Sequence, residues 1–293
     1  MSAVAEGLTA EDESPPPPVR KRRRRWTSFI LPTFTGVMIF YLASPVFVMM
    51  LYGFNDLAGE RQIPRFTCCT LRWWRQILEI DPLNDALVTS IEVAVVSASI
   101  ATLLGTMIGL VLGRYRFSGR SVVNFVIFLA IAIPEIVLGS ALLTMFVEVN
   151  VSKPLGISIA LGKSSILLSH VGFSIAFVAI VVRARVQGFD RSLENAAQDL
   201  FATPLATFFK VTLPMILPGI LAGFLLAFVL SLDDFVITNF VSGKTNTFPT
   251  YVYSTTRIGV PPQVNVWGSV LFLAGVTLAG SQLIGSRRKA AQT

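Results

Sequence analysis

The sequence predicts an all-α integral membrane protein with six transmembrane helices. Of its 293 residues, 53% are hydrophobic and 14% are charged, and its mean hydropathy is +0.67, whereas a soluble domain carries about 25% charged residues. The apolar residues form blocks near the ~20 residues that a helix needs to cross the hydrocarbon core. Because these blocks lack the period-two alternation of barrel strands, helices are the architecture that satisfies their backbone in lipid.

Six apolar blocks define the predicted spans, four without a charged residue and two with a single acid, Glu92 or Glu135. Within a transmembrane domain of residues 26–286, the predicted spans are 27–54, 86–113, 121–147, 164–183, 213–240 and 264–285. In the second span, the small-xxx-small spacing of Gly105, Gly109 and Gly113 predicts a close helix–helix contact. In the third, Pro134 and Gly139 indicate either an irregular turn lining a path or ordinary helix packing.

The chain ends predict the orientation. Residues 1–25 combine prolines, acids and a basic cluster at 20–25, a composition typical of a disordered tail. Six spans place both ends on one side, and putting that side in the cytoplasm leaves 16 of the 24 basic residues inside. The positive-inside rule therefore favours cytoplasmic termini, including the short tail 287–293. Because the basic cluster adjoins the first span, it is interpreted as an orientation signal and not as a nucleic-acid patch.

Residues 56–85 then form an external loop. Its stretch TLRWWRQIL predicts a short helix with one apolar face, made of Leu71, Trp74, Ile77 and Leu78. Tryptophans in such a position usually sit at the membrane interface, and docking of an external partner is the alternative. The two cysteines, Cys68 and Cys69, are adjacent, a spacing that suits neither an ordinary disulfide nor a metal site.

Residues that build enzyme active sites are scarce in this sequence. The chain has one histidine, His170, and it lacks a Gly-rich phosphate loop, a Ser/His/Asp set and a His/Cys metal cluster. His170 lies on an apolar helical face and is interpreted as a hydrogen-bonded packing residue, with pH sensing as the alternative. We therefore expect no catalytic residue, no metal and no cofactor on this chain.

The polar segment 192–212, between the fourth and fifth spans, predicts two short helices. The first begins at Ser192, which can cap it. Its apolar residues recur at i, i+3, i+4 and i+7 as a narrow stripe, formed by Leu193, Ala196, Ala197 and Leu200. Thr203 and Pro204 are the N-cap and first-turn pair of the second helix. Such a stripe at the cytoplasmic face either packs against the chain's own helix ends or binds a soluble partner.

In this segment the sequence resembles the membrane subunits of ABC importers. Those proteins carry a cytoplasmic Glu-Ala-Ala motif, followed by three residues, Gly, nine residues and Ile-x-Leu-Pro. Here NAA, beginning at Asn195, is followed by three residues and Phe201, and nine more residues lead to VTLP, which ends at Pro214. The spacing matches throughout, but Asn195 stands where Glu is usual and Phe201 where Gly is usual.

The resemblance implies that these coupling helices dock into a groove of an ATP-hydrolysing subunit and transmit its closure to the spans. The residues it assigns to this contact are Glu194, Asn195, Ala196, Ala197, Asp199, Leu200, Phe201, Ala202, Val211, Leu213 and Pro214. It also implies the type I ABC importer permease fold in a bacterial inner membrane. The implied partners are a second homologous permease, two ATP-binding subunits that hold ATP and Mg²⁺, and an external solute-binding protein.

Within that family, SLDDFVITNFVSG and AIPEIVLG look like the permeases of spermidine/putrescine-type importers. Carboxylates inside spans are costly, by about 2.5–3.5 kcal/mol at a helix centre, and should face a cavity or a partner. A linear polyamine calls for spaced carboxylates and aromatic faces. The candidate substrate-path residues are Asp233, Asp234, Glu135, Phe235 and Glu92. The alternative for Asp233 and Asp234 is that they cap a helix end or hold a basic residue of a neighbouring subunit, and structural pairing is the preferred interpretation of Glu92.

Two other functions remain open on the sequence. The same architecture can carry another solute, such as iron(III), an oxyanion or an osmolyte, although a cluster of acids argues against anions. A secondary transporter that works alone is the second alternative. It would need no coupling motif, and the sequence shows no evident inverted repeat.

Overall fold

The computed structural model describes residues 27–56, 66–67, 69–152 and 158–290, with side chains from residue 29 to residue 277 within those ranges. The predicted tail 1–25, Cys68 and the last three residues lie outside the described part of the chain. Within it, all regular elements are helical, and a single β-bridge joins Asn55 to Cys69. The chain divides into two compact units, Met1–Met49 and Met50–Thr293.

The helices follow one another along the chain. Their bounds are α1 Thr27–Tyr52, α2 Arg72–Arg75, α3 Asp81–Arg114, α4 Arg120–Ala132, α5 Glu135–Ser152, α6 Lys163–Gln187, α7 Ser192–Asp199, α8 Pro204–Thr207, α9 Leu213–Asp233, α10 Val236–Val241, α11 Phe248–Thr255 and α12 Pro262–Ala290. A π-helical turn, Phe208–Thr212, joins α8 to α9.

Five helices in the described residues are long and apolar enough to cross a membrane. They are Phe29–Tyr52, Asp81–Arg114, Glu135–Ser152, Lys163–Gln187 and Pro204–Asp233. The predicted sixth span, 264–285, falls inside α12, whose side chains are described as far as residue 277. The helix of the second predicted span, α3, begins at Asp81 and not at residue 86, because Pro82 in its first turn suits a helix start.

Two predicted spans are broken, and the break in the third is at Pro134, where the sequence left an irregular turn open. The predicted span 121–147 is divided into α4 and α5 at Ile133 and Pro134, where Ile133 is extended as the residue before a proline prefers. The predicted span 213–240 is divided into α9 and α10, because Asp234 leaves the helical conformation with ψ 120°. Both breaks contribute to the site described below.

The core of the second unit is formed by α3, α6 and α9, which share a buried cluster that includes Ala98, Val178 and Ile216. The glycines of α3 face α6 at very short range. A Cβ added to Gly109 would lie 2.9 Å from the carbonyl oxygen of Ala179, and one added to Gly105 would lie 2.7 Å from the Val178 Cβ. The predicted close helix–helix contact is therefore confirmed, since only a hydrogen fits between these backbones.

We expect Gly109→Ala to destabilise the protein by about 1–3 kcal/mol, because the new methyl group meets backbone of α6 that cannot turn away. The matched control is Gly172→Ala on α6, where nothing lies within 4 Å of the added Cβ. That variant should melt at or slightly above the wild-type temperature. Thermal unfolding in detergent compares the two, and equal melting temperatures would contradict the close contact.

The segment around α2 is anchored by a tryptophan. The Trp73 side chain is buried, and its Nε1 donates a hydrogen bond of 2.8 Å to the carbonyl oxygen of Asn55. Trp74 packs on Phe54 with ring centroids 5.2 Å apart. Trp73 is thus a packing residue, where the sequence suggested interfacial tryptophans, and the helix keeps only four residues.

Candidate functional site

The segment between α6 and α9 is shaped by side-chain caps. The Asp190 carboxylate accepts hydrogen bonds from the Ser192 backbone N–H (2.9 Å) and hydroxyl (2.8 Å), and these bonds hold the pKa of Asp190 below its usual value. Ser192 therefore donates to Asp190 and does not cap α7 as the sequence suggested. At α8, Thr203 Oγ1 accepts from the Ala206 N–H (3.3 Å) and Pro204 follows, so the predicted N-cap pair is confirmed.

Glu194 ties α7 to the ends of two core helices. Its carboxylate forms an ion pair with Arg114, the last residue of α3, and accepts a hydrogen bond from the Thr212 hydroxyl next to α9. The Arg114 Nη2 also donates to Thr212 Oγ1 at 3.2 Å, and Arg191 Nη2 donates to the Arg114 carbonyl oxygen at 2.9 Å. Through these polar contacts, a displacement of α7 would act directly on the ends of α3 and α9.

The predicted coupling residues form an exposed set and a half-buried set. The exposed ones are Asn195, Ala196, Asp199, Leu200, Phe201 and Pro214. The half-buried ones are Glu194, Ala197, Ala202, Val211 and Leu213. The exposed set leaves part of the apolar stripe uncovered by the described residues of this chain, so self-packing accounts for only part of it.

A cavity of about 240 Å³ lies where the two broken spans meet. It brings together four of the five predicted substrate-path residues, Glu135, Asp233, Asp234 and Phe235. The α6 helix adds the rings of Phe173 and Phe177, which sequence reasoning missed. Their i, i+4 spacing predicts that the two rings lie on the same face of one span. The spacing does not predict which neighbouring helix that face contacts.

The helix ends around this cavity favour positive charge. The last turns of α4 and α9 contribute to its lining, and helix C-termini carry partial negative charge. The opposite ends, at the starts of α5 and α10, are each countered by an acid. Glu135 is in the first turn of α5, and Asp234 accepts from the backbone N–H groups of Ile237 (3.3 Å) and Thr238 (2.7 Å). In transporters with broken helices, the C-terminal helix ends likewise coordinate cations.

The two adjacent aspartates have different environments. The Asp234 side chain is 5% exposed and is held by the start of α10 and by His170. Asp233 and Glu135 are exposed, and neither carboxylate has a hydrogen bond or ion pair with a described residue. The cavity therefore presents two unpaired carboxylates, with Asp234 serving the helix break.

Glu92 lies elsewhere. Its carboxylate forms an ion pair with Lys163, the first residue of α6, and both side chains are about half exposed. Glu92 is not among the residues lining the cavity. In the described parts of the chain, no group of three or more His, Cys, Asp or Glu side chains is arranged to hold a metal ion.

His170 joins α6 to both sides of the α9–α10 break, and its side chain is buried. Nε2 lies 3.2 Å from Asp234 Oδ2 and 3.0 Å from Thr238 Oγ1, while Nδ1 lies 2.7 Å from Ser231 Oγ. Because the Thr238 hydroxyl donates to Asp234, its oxygen can only accept from His170, so Nε2 carries a hydrogen. Ser231 is 3.0 Å from Ser97 on α3, which extends the network to a third helix.

We expect His170→Phe to destabilise the protein by about 1–3 kcal/mol, because Asp234 and Ser231 lose a buried hydrogen-bond partner. His170→Gln keeps a donor and an acceptor and should recover part of the loss. Melting temperatures in detergent measure both variants. A Phe variant as stable as the wild type would show that the hydrogen bonds of His170 do not stabilise the α9–α10 break.

The fold and these two regions define a class: a membrane transport subunit, with spans broken around a cavity and two short helices at the basic end of the second unit. The family model described as "binding-protein-dependent transport system inner membrane component" matches residues 105–284, and the chain belongs to this family. Members are transport components, and the family description connects them with a binding protein and an inner membrane.

Relatives over most of the chain are bacterial permeases. The putrescine transport system permease protein PotI of Escherichia coli (strain K12) is 38% identical over 242 residues, which cover 82% of this chain and 84% of PotI. The spermidine/putrescine transport system permease protein PotC of the same strain is 33% identical over 246 residues, or 83% of this chain and 89% of PotC.

Solved structures with the same fold are ABC transporters. A bacterial ABC transporter involved in the import of the acidic polysaccharide alginate matches with a TM-score of 0.58 at 15% identity, covering 92% of this chain and 99% of that one. An amino acid ABC transporter with histidines matches with a TM-score of 0.53 at 18% identity, covering 75% and 99%. The predicted fold class, an all-helical ABC importer permease, is confirmed.

Proposed function

We propose that this chain forms half of the translocation path of an ATP-driven importer for putrescine- or spermidine-like polycations. The observation that carries the proposal is the cavity with two unpaired carboxylates, Glu135 and Asp233, beside three aromatic rings. Carboxylates bind the ammonium groups of a polyamine, and aromatic faces contact its methylenes and its charge. The names of PotI and PotC, a putrescine and a spermidine/putrescine permease, support the same class of substrate.

We infer that energy enters through α7. Two ATP-hydrolysing subunits, which hold ATP and Mg²⁺, would supply this energy by closing against the permeases. One of the two would dock on the exposed face of α7. The link from Glu194 to Arg114 and Thr212 connects that face to α3 and α9. The α9 helix of 21 residues, about 31 Å long, runs from this link to Asp233 at the cavity. A rigid helix joining the two regions fits an alternating-access cycle.

The proposed assembly contains a second homologous permease and an external solute-binding protein that delivers the substrate. The end of the second unit that carries α7 is rich in basic residues, among them Arg114, Arg120, Arg185 and Arg191. The positive-inside rule assigns such an end to the cytoplasm. The proposed location is the bacterial inner membrane, with cytoplasmic N- and C-termini.

The test is transport by the purified assembly in liposomes. We expect ATP enclosed with the ATP-hydrolysing subunits to drive uptake of labelled putrescine or spermidine presented with the solute-binding protein. Iron(III), sulfate and an osmolyte such as betaine should neither be taken up nor compete. Accumulation of solute against its gradient by this chain without an ATP-hydrolysing partner would contradict the proposal.

A further inference from the structure

Phe201 ends α7 in a backbone conformation that suits glycine. Its φ is +63°, and no other non-glycine residue in the described part of the chain has a positive φ. The Phe201 N–H donates to the Gln198 carbonyl oxygen (2.9 Å) and the Ala202 N–H donates to that of Ala197 (3.1 Å). These two bonds define a Schellman helix end with Phe201 at its left-handed position, where a Cβ introduces strain that glycine avoids.

The Phe201 side chain is not buried within its own chain. The residue is 97% exposed, and its neighbours Leu200 and Leu205 are 82% and 73% exposed. We call these three residues the apolar knob. A strained backbone at a residue that lies within a large exposed apolar cluster is typical of an interaction site, where a partner surface buries the side chain.

The polarity of the residues around the apolar knob indicates what kind of partner binds it. The α7 helix carries Glu194, Asn195, Gln198 and Asp199 within eight residues, which is too polar for the hydrocarbon region of a membrane. The knob is continuous along the chain with the exposed coupling residues Asn195, Ala196 and Asp199. Its occupant is therefore the soluble subunit that docks on α7, and this step rests on the proposed function.

We propose that Phe201 determines which ATP-hydrolysing subunit this permease accepts. Its ring enters an apolar pocket of the cognate subunit, sized for a benzyl side chain and continuous with the groove that receives α7. A subunit whose groove is shaped for glycine at this position has no space for the ring and is rejected by steric overlap. Phe201 thereby supplies attraction to the correct partner and exclusion of the wrong one.

The test compares Phe201→Gly with the wild type, each permease reconstituted in nanodiscs. Glycine takes a positive φ without strain, so the melting temperature of the variant should be unchanged or higher. Its affinity for the purified cognate ATP-hydrolysing subunit should fall by about tenfold or more, and Phe201→Leu should recover part of it. A non-cognate subunit from an importer whose permease has glycine here should bind Phe201→Gly more tightly than it binds the wild type.

Two outcomes separate this inference from the proposed function. If Phe201→Gly binds the cognate subunit like the wild type while Ala196→Glu does not bind, the docking surface stands and the role of Phe201 is overturned. If both variants bind like the wild type, α7 is not the docking surface and the proposed function loses its coupling site.

Discussion

Replacing Ala196 with glutamate is expected to abolish ATP-driven uptake while leaving the permease folded and inserted. Ala196 is exposed on α7, so the isolated chain accommodates a longer, charged side chain there. In the docked assembly the new carboxylate would be buried without a partner, a penalty of several kcal/mol. Each 1.4 kcal/mol is a factor of ten in affinity, so docking should weaken by about 100-fold or more. Uptake in proteoliposomes and copurification of the ATP-hydrolysing subunit measure the effect.

Ala196→Ser is the matched control, since it changes the same position to a small neutral residue and should transport nearly as well as the wild type. Ala197 is a less informative position. It is half-buried, so a bulky charged residue there would disturb the packing of α7 as well as docking. Wild-type uptake by Ala196→Glu would contradict docking on this face.

Removing both unpaired charges from the cavity, with Asp233→Asn and Glu135→Gln together, should abolish stimulation of ATP hydrolysis by polyamine in the full assembly. Hydrogen bonds to charged groups contribute about 1.5–3 kcal/mol each, so each single variant should raise the half-saturating polyamine concentration by roughly tenfold or more. Basal ATP hydrolysis without substrate should remain, because the proposed function assigns the ATP sites to partner subunits. The measurement is ATPase activity against putrescine and spermidine concentration.

The control for the cavity is Glu148→Gln, which removes an exposed acid from the same helix as Glu135 but outside the cavity lining. It should leave the polyamine response unchanged. Asp234→Asn should behave differently from Asp233→Asn, with a lower melting temperature, because Asp234 holds the start of α10 and His170. An unchanged polyamine response in the double variant would remove these carboxylates from the substrate path.

The sequence by itself determined that this is a helical membrane protein with two short helices before the fifth span. Hydropathy over about 20 residues identifies a span without knowledge of its neighbours. The spacing from Asn195 to Pro214 and the Thr203–Pro204 cap are likewise local patterns. The glycine spacing of α3 also predicted a close contact, because the size of a residue limits how near another helix can approach.

Only the tertiary structure decided which of the predicted acids line the cavity without a hydrogen-bond partner among the described residues. Asp233 and Asp234 are neighbours with the same side chain, and Asp234 alone contacts the start of α10 and His170, which is 64 residues away along the chain. The Glu194–Arg114 link spans 80 residues, and the cavity exists because two separate helix breaks face each other. Local sequence patterns carry hydrophobicity and turn preference, whereas pairing of charges depends on which distant helices pack together, and that is decided by the fold as a whole.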